Sequence, residues 1–278
     1  MLEIIHKKKL AGQVTLLEIA APQIARKILP GQFIILRVTE QGERIPLTVA
    51  KKDPAGGTIT IIFQEVGKTT KLLATKEVGE KISNLAGPLG KPTETEKLGT
   101  VICVGGGVGV AELLPVAKAF KQEGNKTVAI IGARNKELII LEPEMREAVD
   151  EFYLTTDDGS AGEKGFVTYP LKRLLEAGTK IDLVYAIGPL PMMKNVSNLT
   201  KDYKIKTLVS LNPIMVDGTG MCGSCRVTIN GKTQFACVDG PEFDGHAADW
   251  AELNNRLQLF RRQEQESLEL YEKKCGRC

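Results

Sequence analysis

Residues 99–122 read Gly-Thr-Val-Ile-Cys-Val-Gly-Gly-Gly-Val-Gly-Val-Ala-Glu-Leu-Leu-Pro-Val-Ala-Lys-Ala-Phe-Lys-Gln. Val101–Val104 is an apolar run suited to a strand, glycines crowd positions 105–109, and Ala111–Gln122 carries a helical pattern. A strand that turns through glycines into a helix aims backbone N–H groups and a helix N-terminus at whatever lies beyond the strand end, a setting suited to phosphate. A strict Gly-x-Gly-x-x-Gly beginning at Gly105 would need glycine at 110, where Val110 stands, so a tight turn without a ligand stays open on this stretch alone. Further on, Val128–Ile131, the helical Leu171–Ala177 and Leu183–Ile187 continue the alternation of strand and helix. The pattern predicts βαβ units and a parallel sheet over residues 99–212.

Upstream, Leu2–Ile5, Val14–Ala20, Gln32–Val38, Ile45–Ala50 and Thr58–Gln64 are short β-type segments separated by Pro-Gly, Gln-Gly and Gly-Gly turn signals, the pattern of an antiparallel barrel over residues 1–98. After Pro213, glycines at 218, 220, 223, 231, 240 and 245 leave little room for a long helix, so residues 213–246 read as a small loop-rich module. Residues 247–278 hold a predicted amphipathic helix over 247–273, with Trp250, Leu253, Leu257, Phe260 and Leu268 at its apolar positions.

The 278 residues, 42% hydrophobic and 26% charged, have room for two domains with an attached module and exclude a collagen-like or mostly disordered chain. Lys+Arg 37 against Asp+Glu 34 leaves a net +3 spread along the chain, which argues against nucleic acid as a partner. The most apolar stretch, 101–120, contains Glu112, Pro115 and Lys118 among its glycines and fails as a membrane span. The first residues lack the apolar core and small-residue cleavage site of a secretory signal, so the expected location is the cytosol. His6 and His246 have no Ser or Cys partner recognisable by motif, which gives hydrolase-type catalysis little support.

In a reducing compartment, clustered thiols point to metal or redox chemistry rather than to disulfides. Cys103 reads as a small buried filler between Ile102 and Val104, whereas Cys222, Cys225, Cys237, Cys275 and Cys278 gather near the carboxyl end. Asp217-Gly-Thr-Gly-Met-Cys222-Gly-Ser-Cys225, followed by Cys237, has the spacing of a plant-type [2Fe–2S] loop, with Asp217 where the first cysteine would stand. Thiolates stabilise ferric iron, and a carboxylate can replace one as a harder donor. The alternative is a structural zinc held by Cys222 and Cys225 with Cys275 and Cys278, although these knuckles lie farther apart than in common zinc motifs. Cys275-Gly-Arg-Cys278 by itself is assigned no role.

Taken in order, Pro30-Gly-Gln-Phe33, Arg44-Ile-Pro-Leu-Thr48, Gly67-Lys-Thr-Thr70, Gly87-Pro-Leu-Gly90, Gly106-Gly-Val-Gly109, Gly132-Ala-Arg134, Asp157-Asp-Gly-Ser160, Gly188-Pro189 and the Asp/Cys module resemble the ferredoxin–NADP reductase superfamily over nearly the full chain. The resemblance is greatest to its cluster-bearing branch, which includes the dihydroorotate dehydrogenase B electron-transfer subunit and the small subunit of NADH-dependent reduced ferredoxin:NADP oxidoreductase, also described as sulfide dehydrogenase.

The resemblance implies an FAD-binding antiparallel β-barrel, a ferredoxin–NADP reductase-like α/β domain for NAD(P), and a small C-terminal [2Fe–2S] module whose metal ligands are Asp217, Cys222, Cys225 and Cys237. Flavin contacts fall on Arg44, Pro46, Leu47 and Thr48, with a flavin-phosphate turn at Gly67, Thr69 and Thr70. Nicotinamide-dinucleotide contacts fall on Gly105, Gly106, Gly107, Val108, Gly109, Arg134, Asp157, Asp158, Gly188 and Pro189. The chain departs from the superfamily pattern in several places. With Thr48 aligned to the serine of Arg-x-Tyr-Ser, Ile45 takes the arginine place and Leu47 the tyrosine place, which displaces Arg44 by one. Thr69 replaces a glycine of the phosphate turn, and Glu112 stands where the superfamily commonly has proline. An acid in the first turn is tolerated by the helix dipole but would discourage a nearby phosphate. Asp157 and Asp158 suit ribose hydroxyls and repel a 2′-phosphate, while Arg134 suits that phosphate; the balance favours NAD(H) over NADP(H).

The implied activity passes electrons from NADH through FAD and the [2Fe–2S] cluster to a larger flavin/[4Fe–4S] subunit that binds NADP(H), with ferredoxin taking part and electron bifurcation as a further implication. No lone catalytic side chain is expected. The rival readings are the dihydroorotate dehydrogenase B electron-transfer subunit and, outside enzymes, a zinc-stabilised interaction protein with a nucleotide fold.

Overall fold

The computed structural model describes residues 2–275. Its first unit has six antiparallel strands, β1 (Ile4–Ala11), β2 (Val14–Ala20), β3 (Phe33–Arg37), β4 (Arg44–Asp53), β5 (Thr58–Gln64) and β6 (Asn84–Leu89), in the spatial order β1-β2-β5-β4-β3-β6. Two short helices, α1 (Pro22–Lys27) and α2 (Lys68–Ala74), sit in the connections. Just before β6 the chain returns to β1: Ile4 N donates to Glu80 O at 2.9 Å, Gly79 N to Ile4 O at 2.8 Å and Ile82 N to Leu2 O at 2.9 Å. The sheet thereby closes on itself and leaves no long free edge. Side chains alternate across the wall, so Ile59, Ile61 and Phe63 fill the barrel while Ile62 faces outward into a second core. β1 runs well past Ile5, because Lys7 and Lys9 stay on the solvent side, paired with Glu77 and Glu65, and leave the backbone ladder with β2 intact.

The second unit alternates β7 (Thr100–Gly106), α3 (Val110–Gln122), β8 (Lys126–Ala133), α4 (Glu142–Ala148), β9 (Glu151–Thr156), β10 (Glu163–Lys164), α5 (Thr168–Glu176), β11 (Leu183–Ile187), α6 (Leu190–Asp202) and β12 (Thr207–Ser210). A hairpin, β13 (Arg226–Ile229) and β14 (Lys232–Phe235), turns through Asn230 (φ 49) and Gly231 (φ 72), as a two-residue turn with both central residues left-handed requires. β15 (Glu242–Asp244) then leaves the cysteine module and adds antiparallel to β12, giving the sheet order β10-β9-β8-β7-β11-β12-β15. The fold is thus a ferredoxin reductase-like barrel and α/β unit, with the module stitched into the parallel sheet.

Apolar cores cross the boundaries between these parts. Phe33 and Ile35 of β3 pack in one cluster with Ile102 and Val104 of β7 and with Val227, Cys225, Cys237 and Phe243 of the module. Val14, Ala50 and Ile62 of the barrel pack with Val110, Ala111 and Leu114 of α3. Shared apolar cores of this kind hold units in a fixed relation, unlike domains joined by a polar linker.

The single terminal helix expected over 247–273 is two helices, α7 (Trp250–Leu257) and α8 (Arg261–Cys275). Asp249 caps α7 through Ala251 N (3.0 Å) and Glu252 N (2.9 Å), and Trp250 and Leu253 anchor it on the module. α8 is polar on most of its surface and lies instead against α2, with Lys71 paired to Glu272, so no continuous apolar face holds the two in line. Cys275 is the last residue of α8, and Cys278 lies outside the described residues. Among the described residues no helix is long and apolar enough to cross a membrane.

Candidate functional site

The chain leaves the C-terminal ends of β7 and β11 toward opposite halves of the sheet, and the crevice at such a point is where open α/β sheets bind ligands. Here the barrel and the α/β unit enclose a cleft of about 700 Å³, inside the range of roughly 300–1,000 Å³ common for small-molecule sites. The barrel contributes Pro46, Leu47 and Thr48 from β4 and Thr70 from α2. The facing wall brings Gly106, Gly107, Val108, Gly109, Arg134, Asp157, Gly188 and Pro189 together. Arg134 and Asp157 follow the neighbouring parallel strands β8 and β9, which explains why residues so far apart in sequence reach one rim.

Two glycines have separate reasons. Gly107 adopts φ +55 and faces open space, whereas a Cβ on Gly109 would stand 2.8 Å from the carbonyl oxygen of Ile187, so α3 starts pressed against β11. Val110, at the position a strict motif would give to glycine, is buried in the core beneath the turn.

The remaining expected cofactor residues lie beside the cleft. Gly105 is buried within β7. Gly67 begins α2, its N–H donating to Thr70 Oγ1 at 3.1 Å. Thr69 turns away, its hydroxyl donating to Glu43 Oε2 at 2.9 Å. The Asp158 carboxylate accepts from Ser160 Oγ (2.6 Å) and Ser160 N (2.9 Å), which holds its pKa below the usual range and closes a surface turn. Arg44 is exposed at the start of β4, across the register from Arg37, and outside the cleft lining.

Glu112 is the main surprise. Its carboxylate turns inward, 7% exposed, rather than toward a phosphate at the helix start. Oε2 accepts from Thr48 Oγ1 at 2.8 Å, while Oε1 accepts from Ser210 Oγ at 2.6 Å and meets Tyr185 OH at 3.3 Å. Burial pushes its pKa up against the opposite pull of these hydroxyls. Sequence reading singled out Glu112 only as an acid at a helix start. It missed Ser210, Tyr185 and Glu242, because no local pattern joins elements so distant along the chain.

The cysteine loop lies on the barrel: Gly218 adopts φ +83, and a Cβ there would be 2.8 Å from both Ile35 Cγ1 and Leu89 Cδ1. Asp217 Oδ2 accepts from Thr219 Oγ1 (2.7 Å), Thr219 N (3.1 Å) and Met221 N (3.2 Å), and the Thr219 hydroxyl in particular holds the carboxyl ionised. Cys222 is exposed and held below its ordinary pKa by Ser224, whereas Cys237 is pushed up to about 12 by burial and by Cys225, whose Sγ is 3.2 Å away. Among the described residues no three His, Cys, Asp or Glu side chains converge on a single metal point. A [2Fe–2S] cluster makes a different demand, two donors on each of two irons. One ionised carboxylate, one stabilised thiol and a buried thiol pair in a glycine-rich wrap suit that demand. The zinc alternative fares worse. Phe260 borders the cavity beside Cys222, and the fifteen residues of α8 carry the chain roughly 20 Å from there before Cys275.

Comparison with known proteins agrees with this division. Residues 103–198 match the family "Oxidoreductase NAD-binding domain", and residues 212–249 match "Iron-sulfur cluster binding domain of dihydroorotate dehydrogenase B". The chain is 47% identical over 274 residues to a Thermotoga maritima protein named as a homolog of the dihydroorotate dehydrogenase B (NAD(+)) electron transfer subunit, covering 99% of this chain and 96% of that one. It is 34% identical over 223 residues to the Fusobacterium nucleatum electron transfer subunit of that enzyme, covering 77% and 84%. A chain from the structure of an NADH-dependent reduced ferredoxin-NADP oxidoreductase, solved to study flavin-based electron bifurcation, superposes with TM-score 0.93 at 46% identity over 98% of each chain. A carbazole 1,9a-dioxygenase ferredoxin reductase, at 20% identity and TM-score 0.62 over 73% of this chain and 65% of that one, shares the fold alone. This chain therefore belongs to the family of dihydroorotate dehydrogenase B-type electron transfer subunits, built on the ferredoxin reductase fold with an iron–sulfur cluster-binding domain appended.

Proposed function

We propose that this electron-transfer subunit accepts hydride from NADH in the cleft and delivers the electrons one at a time, by way of the cysteine loop, to a larger partner subunit. The observation that carries the reading is the shared wall. Thr48 in the cleft pairs across the register with Phe33 of β3, and Ile35, two residues along the same strand, lies against Gly218 of the cysteine loop. Cleft and loop are therefore the two ends of one short, packed path. FAD in the cleft would interconvert an electron pair and single electrons, and a [2Fe–2S] cluster on Asp217, Cys222, Cys225 and Cys237 would carry them singly.

The residues have the chemistry this asks of them. The Thr48 oxygen, whose hydrogen goes to Glu112, would accept a hydrogen bond from the reactive edge of a ring lying on Pro46 and Leu47. Thr70, with Gly67 at the start of α2, would form the turn for flavin phosphate, Thr69 contributing only through its backbone because its hydroxyl faces Glu43. Arg44 would reach the pyrophosphate only from the solvent side. The glycine turn of Gly106, Gly107, Val108 and Gly109, open at Gly107 and continuous with Gly105, together with Gly188 and Pro189, accepts the dinucleotide. Asp157 at the rim repels a 2′-phosphate and favours NADH, with Asp158 shaping the turn beside it and Arg134 opposing that preference.

Around the cysteine loop, Met221 is 88% exposed and Val216 and Val238 are also exposed, an apolar rim suited to docking the next carrier. The likeness to a ferredoxin-NADP oxidoreductase studied for electron bifurcation supports a larger partner subunit, which this reading takes to be a flavin/[4Fe–4S] subunit that binds NADP(H) and exchanges electrons with ferredoxin in the cytosol. A second reading, electron supply to a dihydroorotate-oxidising subunit, is favoured by the family match over residues 212–249. Anaerobic purification tests the shared basis: about one flavin, two irons and two acid-labile sulfides per chain support it, and a colourless zinc protein overturns it. Reconstitution with each partner, assayed for NADP or orotate reduction, separates the two readings.

A further inference from the structure

Behind the cleft lies a buried acidic chain that the electron path does not use. Thr48 (β4), Glu112 (α3), Tyr185 (β11), Glu242 (β15) and Thr93 (between β6 and β7) touch in sequence across all three units, with Ser210 (β12) branching onto Glu112. Tyr185 OH is 2.8 Å from Glu242 Oε1 and 3.3 Å from Glu112 Oε1, and the Thr93 hydroxyl donates to Glu242. Tyr185 is 0% exposed, Ser210 3% and Thr93 8%. Gly31 makes room for the arrangement, since a Cβ there would sit 2.3 Å from Thr93 Oγ1 and 2.6 Å from Glu242 Oε1.

The hydrogens can be counted. Five contacts join these six side chains, but Thr48, Ser210, Tyr185 and Thr93 have one hydroxyl hydrogen each. Tyr185 stands between two carboxyls with a single hydrogen to give. The full set closes only when one carboxyl carries a proton. Among the described residues the side-chain hydrogen bonds to Glu112 and Glu242 all come from hydroxyls, and the charges that bear most on Glu242 are the carboxylates of Glu112 and Glu94, so two ionised carboxylates would face each other without a paired cation. The shorter Tyr185 contact, to Glu242, marks Glu242 as the acceptor and Glu112 as the carboxyl that holds the proton.

We propose that Glu112, Tyr185 and Glu242 hold one exchangeable proton and relay it between the Thr48 hydroxyl in the cleft and the surface beside Thr93, so that electron delivery by this subunit is coupled to proton release. The proposal rests on the function given above. A hydride brings one proton's worth of hydrogen with its two electrons, whereas one-electron carriers take the electrons alone. One proton per hydride must therefore leave the cleft. It bonds to Thr48 Oγ1 as the old Thr48 proton passes to Glu112 Oε2. The proton on Glu112 Oε1 passes to the Tyr185 oxygen, and the Tyr185 hydrogen passes to the Glu242 carboxylate. The shift is balanced: one proton in at Thr48, one held at Glu242 for release past Thr93 and Glu94.

The test compares wild type with Tyr185→Phe and Thr93→Val in the flavin- and cluster-loaded protein by stopped flow. Reduction by NADH needs no solvent proton and should be unchanged in both variants. Re-oxidation by excess ferricyanide, a one-electron acceptor, should slow about tenfold or more in Tyr185→Phe, in keeping with the ~10²–10⁴ typical of positioned proton transfer with some water bypass. It should also show a solvent deuterium effect of about 2 or more in wild type. Re-oxidation at the wild-type rate in Tyr185→Phe, or no solvent isotope effect in wild type, overturns the relay. Equal slowing of both half-reactions overturns it too, as a packing defect. Failure of wild type to be reduced by NADH overturns instead the function on which the relay rests.

Discussion

Replacing Glu242 by glutamine should make the protein more stable at pH 8 and flatten the pH dependence that wild type shows. Burial pushes the Glu242 carboxyl from 4.5 up to about 7, against the opposing pull of hydrogen bonds from Thr93 and Tyr185. Between about pH 4.5 and 7 the folded chain therefore holds a proton at Glu242 that the unfolded chain has already released, and above that window Glu242 is the ionised acceptor. Stability from this group is complete below about pH 4.5 and is lost as pH rises through about 7. At about 1.4 kcal/mol for each tenfold change in proton activity, the loss across that window is about 3 kcal/mol. For a chain of this size that corresponds to roughly 6–12 °C in melting temperature. Glutamine keeps an acceptor for Thr93 and Tyr185 but cannot ionise. Melting curves in matched buffers from pH 5 to 8 should fall with pH for both proteins, since burial also raises Glu112, but less steeply for Glu242→Gln, the curves crossing so that the variant melts higher at pH 8. Parallel curves would refute the raised, buried carboxyl at Glu242.

Other outcomes follow from single contacts. Gly109→Ala puts a Cβ 2.8 Å from the Ile187 carbonyl and should cost about 1–3 kcal/mol and weaken NADH binding more than Gly107→Ala, which meets only open space at φ +55; titration of both variants with NADH checks the order. Asp157→Ser should raise kcat/KM for NADPH relative to NADH about tenfold, measured by ferricyanide reduction with each nucleotide. Asp217→Cys should change the g-values of the reduced cluster in electron paramagnetic resonance, because a thiolate is a softer donor than a carboxylate; an unchanged spectrum would leave Asp217 only its turn-closing bonds to Thr219 and Met221.

Local chemistry explains what was legible in the sequence. Val14–Ala20, Thr58–Gln64 and Leu183–Ile187 are strands with the bounds their residues suggest, since β-branched runs between turn signals leave little choice. Of the ordered glycine motifs, Gly106–Gly109, Gly132–Arg134 and Gly188-Pro189 meet in the cleft, because each follows a strand end that the fold brings to one place, whereas Gly31, Gly67, Gly87 and Gly90 lie outside its lining. Asn230-Gly231 was a hairpin signal that went unread. The Glu112–Tyr185–Glu242 chain had no such signal. It depends on β15 joining β12 antiparallel, a non-local pairing, and on burial that turns a first-turn acid inward. The break between α7 and α8 was hidden for a related reason: the periodicity runs on, but only α7 has a module beneath it.

The account depends most on electrons passing from NADH to the cysteine loop within this one chain. Anaerobic addition of NADH to the purified subunit alone, followed together by visible absorbance and low-temperature electron paramagnetic resonance, tests that passage. It should bleach the flavin and produce a signal from a reduced [2Fe–2S] centre that integrates to about one spin per chain. A bleached flavin with a cluster that stays oxidised under NADH, yet reduces with dithionite, would contradict it.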